Sequence, residues 1–92
     1  MNNIKIIYFD FEDIDSTSLT QQLKSLCMSV YRVSNNIFMV NYMDTPKTLY
    51  SSLGNMIQGK NIFIIEVNSS MDAYWGFMGK ELWDWLNNNR EK

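Results

Sequence analysis

Residues 60–89 read KNIFIIEVNSSMDAYWGFMGKELWDWLNNN. The stretch begins with a short, almost wholly apolar strand, Asn61 to Val67. A polar loop follows, then a Gly-punctuated aromatic turn, then an amphipathic helix from about Gly79 to Asn88 with Leu82, Trp83 and Leu86 at helical spacing. All three tryptophans fall here, at Trp75, Trp83 and Trp85. Such a segment closes a fold that the preceding residues must have built.

Working outward, Ile4 to Phe9 (IKIIYF) is a second strand that is apolar on both alternating sides. An acidic loop, Asp10 to Asp15, leads to a helix that Ser16 to Ser18 can cap, Ser18 and Gln21 fitting a capping box. Leu19, Leu23, Leu26 and Cys27 form its buried stripe. Val30 to Ser34 and Ile37 to Tyr42 are short strands joined at Asn35-Asn36, a pair that suits a two-residue hairpin turn with positive φ. Thr45 as cap and Pro46 in the first turn start a second helix, with Leu49, Leu53 and Met56 or Ile57 on its apolar side and Gly59 as its stop. The order strand, helix, strand, strand, helix, strand, helix predicts an α+β, ferredoxin-like single domain over residues 1–92. It has a four-stranded antiparallel sheet in the order 4-1-3-2, two helices on one face and an extra C-terminal helix.

A two-residue turn at Asn35-Asn36 places Arg32, Ser34, Ile37, Met39 and Asn41 on one face of the hairpin. Tyr31, Val33, Phe38, Val40 and Tyr42 lie on the other, packed on the helices. The open face then carries Ile37 and Met39 with either Ile62 and Ile64 or Phe63, Ile65 and Val67, too apolar for water. A second copy packed sheet against sheet is the expected cover, with Ile37, Met39, Ile62 and Ile64 as its interface; the last helix is the rival cover.

Composition narrows the functional classes. Apolar content of 46% with 20% charged residues is that of a globular chain rather than a disordered one. No histidine is present, which removes His-based general-base catalysis, His-Cys dyads and His-containing zinc sites. The single cysteine, Cys27, cannot form an intrachain disulfide and reads as a small buried hydrophobe. The net charge is −2 and the eight Lys and Arg are scattered, which disfavours direct nucleic-acid binding and suits a partner with a basic surface. No run approaches a membrane span, and MNNIKIIYFDFED lacks the features of a signal peptide, so a cytoplasmic location is expected.

Asp10, Glu12, Asp13 and Asp15 are carboxylates that a hard cation could use, although they lack the spacing and glycine of a Ca²⁺ loop. As a solvated loop ahead of a helix they also suit the helix N-terminus. Glu66 could approach Asp10 from the neighbouring strand or pair with Lys5. Tyr74, Trp75 and Phe77, with Trp85, are candidates for partner binding together with Glu12, Asp13 and Asp15. Trp83 packs inward with Leu82 and Leu86, whereas Trp85 points elsewhere on the helix.

With IIYFD ending the first strand, NIFIIEV as the last strand and YWGFMGKELWDWL after it, the chain resembles the SinR-like small proteins, relatives of CRISPR-associated protein two. The resemblance covers nearly the whole chain by element order and is most specific in the C-terminal block. It implies a ferredoxin-like homodimer. It also implies that Asp10 matches an acidic residue tied to Mg²⁺-dependent nuclease activity in some members. This chain departs from the DNA-gripping relatives in lacking a basic surface and in ending with a helix where they add a strand to the partner's sheet. The expected function is therefore a non-enzymatic protein-interaction module without a cofactor. Alternatives are a phage-encoded acidic inhibitor of a nucleic-acid-targeting defence system (an anti-CRISPR), a toxin or antitoxin component, or a metal-dependent nuclease using Asp10.

Overall fold

The computed structural model describes residues 3–67 and 79–89. Its elements in chain order are β1 (Ile4–Phe9), α1 (Ser16–Leu26), β2 (Ser29–Arg32), β3 (Ile37–Asn41), α2 (Pro46–Leu53) with a 3₁₀ turn over Gly54–Ile57, β4 (Ile62–Glu66) and α3 (Lys80–Asn89). The four strands form one antiparallel sheet in the order β2-β3-β1-β4, which is the expected order read from the other edge.

The sheet is a wall between two apolar clusters. On one side Ile7, Phe9, Phe38 and Val40 meet Leu19 and Leu23 of α1 and Leu49 and Leu53 of α2, all buried. The Phe9 ring meets the Phe38 and Phe11 rings edge-on, the arrangement favoured by aromatic quadrupoles. On the other side Ile4 and Met39 are covered by Leu82 and Leu86 of α3. The last helix is thus the cover of part of the second face.

Local chemistry explains the element ends, with three corrections to the expectations. The cap of α1 is Asp15, not a serine: its Oδ1 accepts from the Ser18 backbone N–H at 3.1 Å, and its Oδ2 accepts from the Ser18 hydroxyl at 2.7 Å. A carboxylate is the stronger acceptor at a helix N-terminus, so it takes the cap from the serines beside it. Thr45 caps α2 as expected, with Pro46 in the first turn. That helix stops at Leu53 rather than at Gly59, because Gly54 already turns the chain at φ 58°, ψ −127°.

The third correction concerns the β2–β3 hairpin. Val30 lies opposite Val40 and Arg32 opposite Phe38, and Val33 N–H bonds to Ile37 C=O at 2.9 Å. The loop is therefore three residues, Ser34 to Asn36, and neither asparagine has positive φ. Asn36 is held elsewhere: its Nδ2 donates to the carbonyls of Phe9 and Phe11, at 2.9 and 3.2 Å, and its own carbonyl accepts from Phe9 N–H. Asn35 Oδ1 accepts from Arg32. One extra loop residue exchanges the faces of β2, so Val30 and Arg32 share the α1/α2 side while Tyr31 and Val33 turn to the α3 side.

Candidate interaction surface

The face of the sheet opposite α1 and α2 is ordered in rows by the strand register. One row runs Asn41, Ile4, Val67; the next Tyr31, Met39, Ile6, Ile65; the third Ile37, Tyr8, Phe63. α3 crosses the first row and the β2–β3 half of the second, packing Leu82 and Leu86 on Ile4 and Met39 with Tyr31, Val33, Val67, Trp83 and Trp85 around them. The remaining corner, Tyr8, Phe63 and Ile65, is 42%, 59% and 40% exposed. Three large apolar side chains adjacent across two strands form a patch rather than the scattered exposure normal for a surface.

Polar contacts fasten α3. Trp85 Nε1 donates to Ser29 Oγ at 2.8 Å, and its ring lies 6.3 Å from that of Tyr31. Asn41, buried, donates to Asn89 Oδ1 at 2.9 Å, and Asn89 Nδ2 returns a bond to the Trp85 carbonyl. Trp85 is therefore half-buried and engaged within the fold, a correction to its expected role as a free interface residue. The ring has a hydroxyl and an aromatic partner on β2, which helical spacing alone does not reveal. Trp83 is half-buried in the same cluster, as its spacing indicated.

The other candidates separate in the same way. Ile62 and Ile64, expected at a dimer face, pack toward α1 and α2; the outward set of β4 is Phe63 and Ile65. Met39 is buried beneath α3 and Ile37 is half-buried. Tyr74, Trp75 and Phe77 lie outside the described residues.

The acidic loop borders the uncovered corner. Asp10 Oδ1 accepts from the Tyr8 hydroxyl at 3.2 Å, and the carboxylate beside it holds the phenol above its ordinary pKa. Asp15 serves as the α1 cap and is held below its ordinary value by the Ser18 bonds. Glu12 and Asp13 are exposed. Among the described residues no group of three or more metal-ligating side chains converges.

Glu66 does not approach Asp10. β4 runs antiparallel to β1, so Glu66 lies opposite Lys5 at one end of the sheet while Asp10 bonds to Asn61 at the other. Five residues along a strand separate them by roughly 17 Å. Glu66 Oε1 sits 3.2 Å from Lys5 Nζ, which also donates to the Tyr42 carbonyl at 2.9 Å. The pairing of Glu66 with Lys5 is the second of the two expected arrangements; that Lys5 is fully buried was not legible in the pattern. Its position opposite Glu66 on a neighbouring strand was the available signal for the pair.

A groove of about 380 Å³ opens nearby, lined by Cys27, Met28, Tyr42, Met43 and Asp44 among others. Burial pushes the Cys27 thiol up to about 11, which keeps it protonated at neutral pH. No helix among the described residues is long and apolar enough to cross a membrane. No protein-family model matches the chain, and neither a curated protein nor a solved structure matches it significantly.

Proposed function

We propose that the chain is a non-enzymatic protein-interaction module on a ferredoxin-like scaffold, acting as a homodimer and offering an acidic, apolar-centred surface to a protein with a basic face. The βαββαβ order and the sheet order support the scaffold, as does the resemblance of the C-terminal block to the SinR-like group. The observation that carries the interaction reading is the uncovered corner of Tyr8, Phe63 and Ile65, next to a helix that covers the rest of that face. Apolar corners of this kind mark contact sites when polar residues rim them, and Asp10, bonded to Tyr8 at the start of the acidic loop, borders this one.

An acidic rim repels nucleic acid and attracts Lys- and Arg-rich protein surfaces. It therefore suits a target whose own role is to hold nucleic acid, the setting in which an inhibitor of a defence nuclease would act. A photo-reactive benzoylphenylalanine placed at Tyr8 tests the module in cells. Adducts to a second protein or a second copy are expected at Tyr8 and not at Tyr50, which is equally exposed but lies on α2. Equal labelling at both positions, or none at Tyr8, would overturn the reading.

A further inference from the structure

Among the described residues β4 is the last strand of the sheet on its side, and its main-chain phase can be read from its bonds to β1. Val67 N–H donates to Ile4 C=O and Asp10 N–H donates to Asn61 C=O, each at 2.8 Å. Odd-numbered residues of β4 therefore turn their peptide groups to β1, and those of Ile62, Ile64 and Glu66 point out from the sheet. Such an edge is a template for another strand unless charge, proline or a bulge guards it. From Ile62 to Ile65 the strand is uninterruptedly apolar and has no such guard. At the opposite edge, β2 is only four residues long and is packed by both α1 and α3.

We infer that β4 pairs antiparallel with β4 of a second copy about a two-fold axis at Phe63, joining two sheets into one. The sequence selects that partner and that register. With the axis at Phe63, Ile62 opposes the second copy's Ile64 and exchanges main-chain bonds with it, and Lys60 opposes the second copy's Glu66 on the same face. Both ion pairs form, one on each side of the axis, because the edge reads positive at its start and negative at its end. Moving the axis to Ile62 puts Glu66 opposite Gln58, and moving it to Ile64 puts Glu66 opposite Ile62; either shift forfeits both pairs.

Glu66 has a carboxylate oxygen for this contact beyond the one that meets Lys5, and Lys60 is exposed, its ammonium 5.4 Å above the Phe11 ring. On the other face the two Phe63 rings meet at the axis in a non-hydrogen-bonded pair, the closer type. The residue most exposed in the uncovered corner becomes the centre of the joint, and Tyr8 beside it stays free for a partner.

This geometry rests on the homodimeric interaction module proposed above, and the following tests separate the two. The purified chain is expected to sediment with the mass of two chains. Phe63→Lys, which sets two ammonium groups against each other at the axis, is expected to give the mass of one chain with an unchanged circular dichroism spectrum and a melting temperature that no longer depends on chain concentration. Lys60→Glu replaces two attractions by two repulsions and is expected to raise the dimer dissociation constant roughly tenfold or more. In a Cys27→Ser background, Phe63→Cys is expected to cross-link to itself under mild oxidation, since directly opposed non-hydrogen-bonded positions are within disulfide reach, whereas Tyr50→Cys is not. A wild-type mass of one chain at high micromolar concentration overturns both the edge pairing and the homodimer, leaving the Tyr8 cross-linking result to stand or fall on its own. A Phe63→Lys chain that stays dimeric, or a Phe63→Cys chain that cross-links no better than Tyr50→Cys, overturns the edge pairing while the homodimer stands.

Discussion

Lys5 is the residue on which one end of the molecule turns. A lysine buried on the helix side of the sheet is tolerated because Glu66 faces it across the strand pair and the Tyr42 carbonyl accepts from it. Lys5→Ala leaves the carboxylate and that carbonyl without their cation and opens a cavity. Denaturant unfolding should show a loss of about 3 kcal/mol. Cys27 is the second residue with a measurable signature. Its thiol is raised from 9.0 to about 11 by burial, with nearby Lys5 opposing the rise. Because the folded state holds this proton more tightly than the unfolded one, stability falls as pH climbs from about 9 to about 11. At pH 8, alkylation of the folded chain should run about a hundredfold slower than that of the denatured chain, since the thiolate fraction falls tenfold per unit. Asp15 works in the opposite sense. Its carboxyl is held below 3.8 by Ser18, so its contribution is present above that value and is lost as pH falls through the lower folded value. Asp15→Asn keeps a capping oxygen without the charge, and should lower the neutral-pH melting temperature slightly while flattening the acid side of the stability profile. These residue-scale features were only partly legible in the chain. A lysine and a glutamate on neighbouring strands suggested a pair, but the depth of Lys5 depends on how Tyr42 and the helices close over it.

At the scale of the element, the strands and helices were legible because their patterns are unmixed. β1 and β4 carry apolar residues on both sides, and α1 and α2 carry leucines at helical spacing with caps ahead of them. What patterning missed was where polar side chains were already engaged. Asn35-Asn36 reads as a two-residue turn until Asn36 is found donating to two carbonyls at the end of β1, a contact across 27 and 25 residues of sequence. That contact lengthens the loop by one residue and exchanges the faces of β2. Asn36→Ala should therefore loosen the end of β1 and the hairpin together, visible as paired chemical-shift changes in Phe9, Phe11 and Ile37. The same reasoning governs the end of α2. Gly54 adopts φ 58° with ψ −127°, a region that side chains with a Cβ rarely enter, although nothing lies within 4 Å of an added Cβ. Gly54→Ala should thus cost about 1–3 kcal/mol through the backbone alone. For α3, Leu82 and Leu86 were legible as its buried side, but the anchoring of Trp85 to Ser29 was not, because one hydroxyl on a distant strand carries no periodic signal.

For the whole molecule, the governing fact is that one sheet separates two apolar clusters of unequal size. Among the described residues, the α1/α2 side draws on ten buried residues, whereas the α3 side holds four, Ile4, Met39, Leu82 and Leu86. The smaller cluster leaves the corner of Tyr8, Phe63 and Ile65 exposed, and that corner is the proposed interaction surface. The candidate site was harder to read in the chain than the fold for the same reason. Which of two apolar sets on β4 faces outward depends on the register of β1 with β4, and how much of the face stays open depends on where a terminal helix comes to rest.

The two clusters also set the order in which the molecule loosens. They share no side chain; their common element is the sheet between them. α3 can lift while α1, α2 and the four strands keep their own contacts, and the bonds it surrenders include those of Trp85 and Asn89. Amide protons of α3 are therefore expected to exchange with solvent by partial opening, well below the free energy of global unfolding, while those of β1 and β3 exchange only when the whole chain opens. Such an opening would add Ile4 and Met39 to the exposed corner, so the extent of the surface on that side would follow the position of the last helix.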